Sequence, residues 1–212
     1  MKIYSTLINY AFNFVIKTSK QYNIDDSHSL RHSMEVFQFA NQIYNNELIN
    51  NPCLLNQKNI VMCSAILHDM CDKKYLDEDE GIRNLNEQFK DLLPEEELSV
   101  VNQIISSMSY STVKKVGYPD LNMYNSAYHI VREADLLAAY DVERCIMYQM
   151  FNKDSDYQFS LNYVNELFQN RVLKYIDDNL FVNEYSKNLA FKLHDNSVKK
   201  LEEINNIYFD LN

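Results

Sequence analysis

Two glycines, Gly81 and Gly117, and three prolines, Pro52, Pro94 and Pro119, are all that punctuate a chain of 212 residues. Sheets need turn residues at nearly every strand end, because tight reversals demand the backbone angles that Gly, Asn and Pro supply. Usage far below the average of about 7% Gly and 5% Pro therefore points to helices joined by polar turns, an all-α architecture. The length suffices for a sizeable core, and no internal repeat, low-complexity tract or linker divides it. One domain over 1–212 is the expectation.

Apolar positions recur with helical spacing through most of the sequence. Residues 4–21 place Leu7, Tyr10, Ala11, Phe14, Val15 and Thr18 on one face. A second helix is expected from about Ser27, a capping residue, to about Asn45, with Leu30, Val36, Phe37, Ala40, Ile43 and Tyr44 turned inward. The run from Ile60 to Leu67 is almost wholly apolar, the mark of a central helix covered on most sides. Further helices are expected over about 79–92, from Pro94 to Met108, from Ser126 to about Met150 as one long element, and over about 159–176 and 184–209. Residues 109–125 read as a loop. Roughly eight helices follow from these spacings.

The formal net charge of -10 argues against an extended nucleic acid or an anionic membrane as partner, since such binders carry a basic face. A small phosphorylated ligand remains compatible with local cations. Cys53, Cys63, Cys71 and Cys145 form no CxxC pair and read as reduced thiols. The apolar N-terminal stretch is interrupted by Asn9 and Asn13 and has helical spacing, unlike a signal peptide. A soluble, cytoplasmic protein is expected.

The chemistry concentrates in His68-Asp69, at the end of the apolar run, followed by Asp72, Lys73 and Lys74. Partners for this dipeptide exist. His28 and His32, four apart, share one helix face, and Asp135 falls between apolar residues of a helix, where a carboxylate is costly unless paired or bound to metal. His32, His68, Asp69 and Asp135 make a set of two imidazoles and two carboxylates from three helices. Such donors suit one divalent ion of the Mn²⁺, Co²⁺, Fe²⁺, Ni²⁺ or Mg²⁺ kind better than a thiolate-seeking metal. An ion held this way keeps open positions, lowers the pKa of bound water and draws charge from a phosphoryl oxygen, so hydrolysis of a phosphate ester or anhydride is the chemistry it suits.

Asp25-Asp26-Ser27-His28-Ser29-Leu30-Arg31-His32-Ser33-Met34-Glu35-Val36 resembles the "DxSHDxxHVxRV" stretch of a subgroup of HD-domain metal-dependent phosphohydrolases. Ala65-Ile66-Leu67-His68-Asp69 is similar to that family's central "LHD", and Asp72-Lys73-Lys74-Tyr75 to the "DxKF/Y" that follows it. Val131-Arg132-Glu133-Ala134-Asp135-Leu136-Leu137-Ala138-Ala139 resembles "VxDADRLDA". The resemblance spans about residues 20–150, with the helices of 157–212 expected to pack on that core. It implies a compact HD-domain helical bundle, with His32, His68, Asp69 and Asp135 as ligands of one metal ion. It further implies Asp72 as the group that orients the attacking water or moves a proton, with Asp69 alongside it in catalysis, and Lys73, Lys74, Arg31 and Arg144 as candidate phosphate contacts.

Ser29, Ser33, Glu35, Glu133, Leu136 and Ala138 depart from the family pattern. None is a ligand position, so the departures bear on substrate rather than on metal. His194-Asp195 reads as a surface pair. Gly117-Tyr118-Pro119 lacks the histidines that accompany GYP in cyclic-dinucleotide phosphodiesterases. His129 alone lies between Asp69 and Asp135, which favours one metal over the two of a diiron oxygenase. The expected function is hydrolysis of a nucleotide by attack of metal-bound water. The alternative is a non-catalytic HD module that binds metal with a nucleotide or a partner protein.

Overall fold

The computed structural model describes residues 2–25 and 27–210, without the side chains of 2, 3, 209 and 210. Among the described residues there are ten α-helices, three short 3-10 helices and no strands, as the scarcity of turn residues requires. The chain divides into two compact units, residues 1–135 and 136–212.

In the first unit α1 (Lys2–Tyr22), α2 (Leu30–Asn50), α3 (Lys58–Leu67) and α5 (Glu95–Ser107) form the core. α3 is the hub, packed against α1, α2 and α5. Every residue from Ile60 to Leu67 is buried, which is why this segment shows no polar face in the sequence. On α1 the inward set includes Leu7, Ala11, Phe14, Val15 and Thr18. α4 (Glu78–Phe89) opens on three acidic residues, favourable beside the positive end of a helix, with the Asp77 carboxylate accepting a hydrogen bond from the Glu80 amide.

Gly81, on α4, is needed for close approach. A Cβ there would lie 2.9 Å from Leu76 Cδ1 and 3.1 Å from Cys71 Cα. Gly81→Ala should therefore destabilise by about 1–2 kcal/mol, although alanine's better helix propensity alone would stabilise by up to about 1 kcal/mol. Urea unfolding checks the sign, and an unchanged or raised midpoint would show that the 71–76 turn yields freely.

Two helices beyond the expected eight arise from capping. Residues 109–125 contain α6 (Tyr110–Val116), started by the Ser109 hydroxyl, which accepts from the Thr112 amide, and closed by Gly117 at φ +81°. The long helix expected from Ser126 to Met150 is two: α7 (Asn125–Ala138) and α8 (Val142–Lys153). The break falls at Asp141, whose carboxylate accepts from the Arg144 amide. Asp141→Ala should cost about 1 kcal/mol through loss of this cap, read as a lowered melting temperature. An unchanged melting temperature would mean that the cap contributes nothing net.

In the second unit α9 (Tyr157–Asn170) and α10 (Glu184–Asp210) both pack against α8. The Ser197 hydroxyl of α10 donates to the Tyr140 carbonyl at 2.9 Å. No helix among the described residues is long and apolar enough to cross a membrane. The described cysteines form no disulfide; Cys63 and Cys71 are buried, whereas Cys53 is exposed.

Candidate metal centre

The hub helix α3 ends at Leu67, one residue before His68, rather than running on through Asp72. Helix ends leave their last carbonyls without an intrahelical partner, and His68 uses one of them. Its Nδ1–H donates to the Ala65 carbonyl at 2.9 Å. That bond fixes the tautomer, so the neutral ring turns a lone pair on Nε2 toward the neighbouring helices.

There Nε2 meets three groups, the adjacent Asp69 and two from distant parts of the sequence. His32 Nε2, from α2, lies 3.1 Å away. Asp69 Oδ2 is 3.2 Å from His68 Nε2 and 3.4 Å from His32 Nε2. Asp135 Oδ1, from α7, is 3.3 Å from His32 Nε2 and 3.7 Å from His68 Nε2. The four ligand positions expected from the sequence thus come together, and His32, His68 and Asp135 form a group able to hold a metal ion.

The donor set passes a simple physical test. Two Nε2 lone pairs 3.1 Å apart repel unless a proton or a cation lies between them. Asp69 Oδ2 is buried and makes no hydrogen bond of good geometry, a costly state for a carboxylate oxygen that a cation would relieve. A cation about 2.1 Å from each donor, with angles of 90–109° at the ion, sets donors about 3.0–3.4 Å apart, close to the spacings seen. Nitrogen and oxygen donors without thiolate leave the choice among several divalent ions open.

Charge in the metal-free site follows the same geometry. Burial draws the His68 imidazole down, but the carboxylates of Asp69 and Asp135 outweigh it and push the group up to about 9. Burial raises Asp69, yet the adjoining imidazoles hold it well below the usual carboxylate range. Asp135 is likewise raised by burial and lowered further by its contacts with His32 and His68, to about 2. Exposure is graded across the cluster. The His32 and His68 side chains are 2% and 3% exposed, Asp69 is 14% and Asp135 31%, so the imidazoles form a floor and the carboxylates a rim.

The remaining expected site residues are placed differently. Asp72 is engaged by its own loop: Oδ1 accepts from the Lys74 amide at 2.9 Å and Oδ2 lies 3.3 Å from Lys74 Nζ. Lys73 is exposed, as is Arg31, one position before His32 on α2. Arg144 is buried in the second unit, where its guanidinium donates to the Ala138 carbonyl at 3.2 Å and so covers the end of α7. His129 packs between Tyr118 and Tyr128, and burial beside Arg132 pushes its imidazole down to about 4. His194 and Asp195 pair at 3.5 Å on the surface of α10.

Sequence reasoning missed two features next to the ligands. Ser27, expected to cap α2, belongs instead to a hydrogen-bonded chain with Asp25, His28 and Tyr75, while Ser29 takes the N-cap position. Glu133, noted only as a departure, is fully buried and pairs with buried Arg132 at 3.4 Å. Arg132 in turn lies over the Tyr118 ring at 4.8 Å. The signal for the first was present in the polar spacing Asp25-x-Ser27-His28; the second had none, because adjacent opposite charges are usually solvated. No family model, curated protein or solved structure matches the chain.

Proposed function

We propose that this chain is an HD-type metal-dependent phosphohydrolase acting on a nucleotide, cutting a phosphate ester or a pyrophosphate bond. The observation that carries the reading is the meeting of His32, His68, Asp69 and Asp135, separated by up to 103 positions in the chain, around one point small enough for a single ion. An ion bound there supplies Lewis-acid polarisation of a phosphoryl oxygen and lowers the pKa of water. The protein's own contribution is to fix the donors, through the Ala65 carbonyl bond to His68 and the rigid α3 beneath it, and to leave the carboxylate rim facing solvent. Exposed Lys73 and Arg31 lie in the two sequence stretches that supply the ligands and offer charge to a phosphate.

A screen of nucleoside mono-, di- and triphosphates, cyclic nucleotides and ppGpp with added Mn²⁺ or Co²⁺ and product identification tests this. Release of phosphate or pyrophosphate that disappears in Asp69→Ala is the expected result. No turnover of any compound would overturn it. The second reading, a non-catalytic module that binds metal and nucleotide, draws on one observation: Asp72 and Lys74 are paired with each other. Ligand-dependent thermal stabilisation without product would favour that reading.

A further inference from the structure

Glycine is among the poorest residues for a helix interior, so Gly81 is a cost to α4 that its close approach to another segment must offset. What it approaches is the turn that leaves α3. The atoms a Cβ at Gly81 would meet are Leu76 Cδ1 at 2.9 Å, Cys71 Cα at 3.1 Å and Cys71 Cβ at 3.2 Å. Cys71 stands two residues beyond Asp69, and the Asp72 amide donates back to the Asp69 carbonyl at 3.3 Å. Cys71 therefore lies inside a four-residue turn that begins at one of the metal-ligand positions. Met70 and Cys71 are both buried.

Which partner would give way follows from how each is held. α4 is fastened to α1 along its length. The Tyr22 hydroxyl donates to Glu80 at 3.1 Å and the Tyr10 hydroxyl to Gln88 at 2.9 Å. The Phe89 ring packs edge-to-face with Tyr10 and Phe14, centroids 5.3 and 5.5 Å apart. Leu76 Cδ1 is the end of a side chain and can turn aside. Cys71 Cα is backbone, and an added Cβ would make it retreat by a few tenths of an ångström. His68 is anchored by the Ala65 carbonyl, so the displacement falls on Asp69 and the residues after it. Asp69 Oδ2 stands 3.2 and 3.4 Å from two imidazole nitrogens, and a functional constellation tolerates misplacement of only about 0.5 Å.

We propose that Gly81 is a positioning residue of the metal centre: its missing side chain lets α4 press the 69–72 turn into the place where the Asp69 carboxylate completes the ligand set. The assignment rests on the metal centre of the reading above and is independent of which phosphate compound that centre cuts.

Manganese affinity, measured by titration calorimetry on the full chain beside thermal melting, provides the test. Gly81→Ala should bind Mn²⁺ about 10-fold more weakly, the lower end of what loss of a group supporting a metal ligand costs. Leu85→Val takes one methylene from the buried face of the same helix, away from the turn. It should lower the melting temperature without changing Mn²⁺ affinity. In metal-free protein the amide resonances of Asp69 and Asp72 should move in Gly81→Ala and stay in place in Leu85→Val. Should Gly81→Ala not fold, Cys71→Val decides in its stead, since it adds bulk at the same contact from the side of the turn and should weaken Mn²⁺ in the same sense. Wild-type Mn²⁺ affinity in the folded variant, or an equal loss in Leu85→Val, would overturn the assignment. A wild type that binds Mn²⁺ but turns over no nucleotide would overturn the phosphohydrolase reading alone. One that binds no Mn²⁺ would overturn the metal centre and the role of Gly81 together.

Discussion

His68→Ala is expected to abolish measurable Mn²⁺ binding while leaving the helices intact. Loss of a group that merely supports a metal ligand costs about 10–100-fold in affinity, and loss of a ligand should cost more. The replacement also frees the Ala65 carbonyl at the end of α3, so some loss of stability should accompany it. His68→Gln separates the two effects, since its amide can approach the carbonyl without offering the imidazole lone pair. Calorimetric titration and far-UV circular dichroism on both variants provide the check. Binding that survives His68→Ala unchanged would remove the centre assigned here.

Metal-free protein should lose stability as pH rises from about 6.5 to about 9, and metal should cancel that loss. The sign follows from His68, raised from 6.5 to about 9 in the fold. A raised group stabilises the folded state fully below its unfolded pKa and ceases to do so once pH passes the folded value. Asp135, lowered from 3.8 to about 2, works in the opposite window: its contribution is present above 3.8 and fades as pH falls toward 2. The metal-free fold should therefore be most stable between about pH 4 and 6.5 on account of these groups. An ion replaces the proton on His68, so its binding near pH 7.5 should release close to one proton. Melting curves from pH 5 to 9 with chelator or with saturating ion, and titrations in buffers of different ionisation heat, provide the measurements. Parallel melting profiles, or no proton release, would contradict this account of the charge.

The parts of this structure legible in the sequence are those set by local pattern. An almost wholly apolar run from Ile60 to Leu67 reads as a covered helix, and its residues are all buried. His32, His68, Asp69 and Asp135 were legible as a set because each is a costly side chain on an inward face, and such side chains need one another. Periodicity failed where it continued across a break: Ala138, Val142 and Cys145 keep helical spacing, so the interruption at Asp141 shows only as a capping carboxylate. It failed again at α6, which is too short for a clear apolar face but is bracketed by Ser109 and Gly117. The pairing of Asp72 with Lys74, the burial of Glu133 beside Arg132 and the use of Arg144 to cover a helix end depend on side-chain orientation and on what packs over each element. Those are tertiary choices, and one-dimensional spacing carries little trace of them.

The graded rim of the site has a consequence for the order in which ligands arrive. A phosphate approaching the metal-free centre meets the carboxylates of Asp69 and Asp135 before it meets either imidazole. With a divalent ion seated and both imidazoles neutral, the two carboxylates are balanced and the same approach no longer meets net negative charge. On the proposed reading, cation and anion should therefore bind with positive coupling, each strengthening the other by an equal factor, as reciprocity demands. A bound anion should accordingly protect the ion from a chelator, because each guest strengthens the hold on the other.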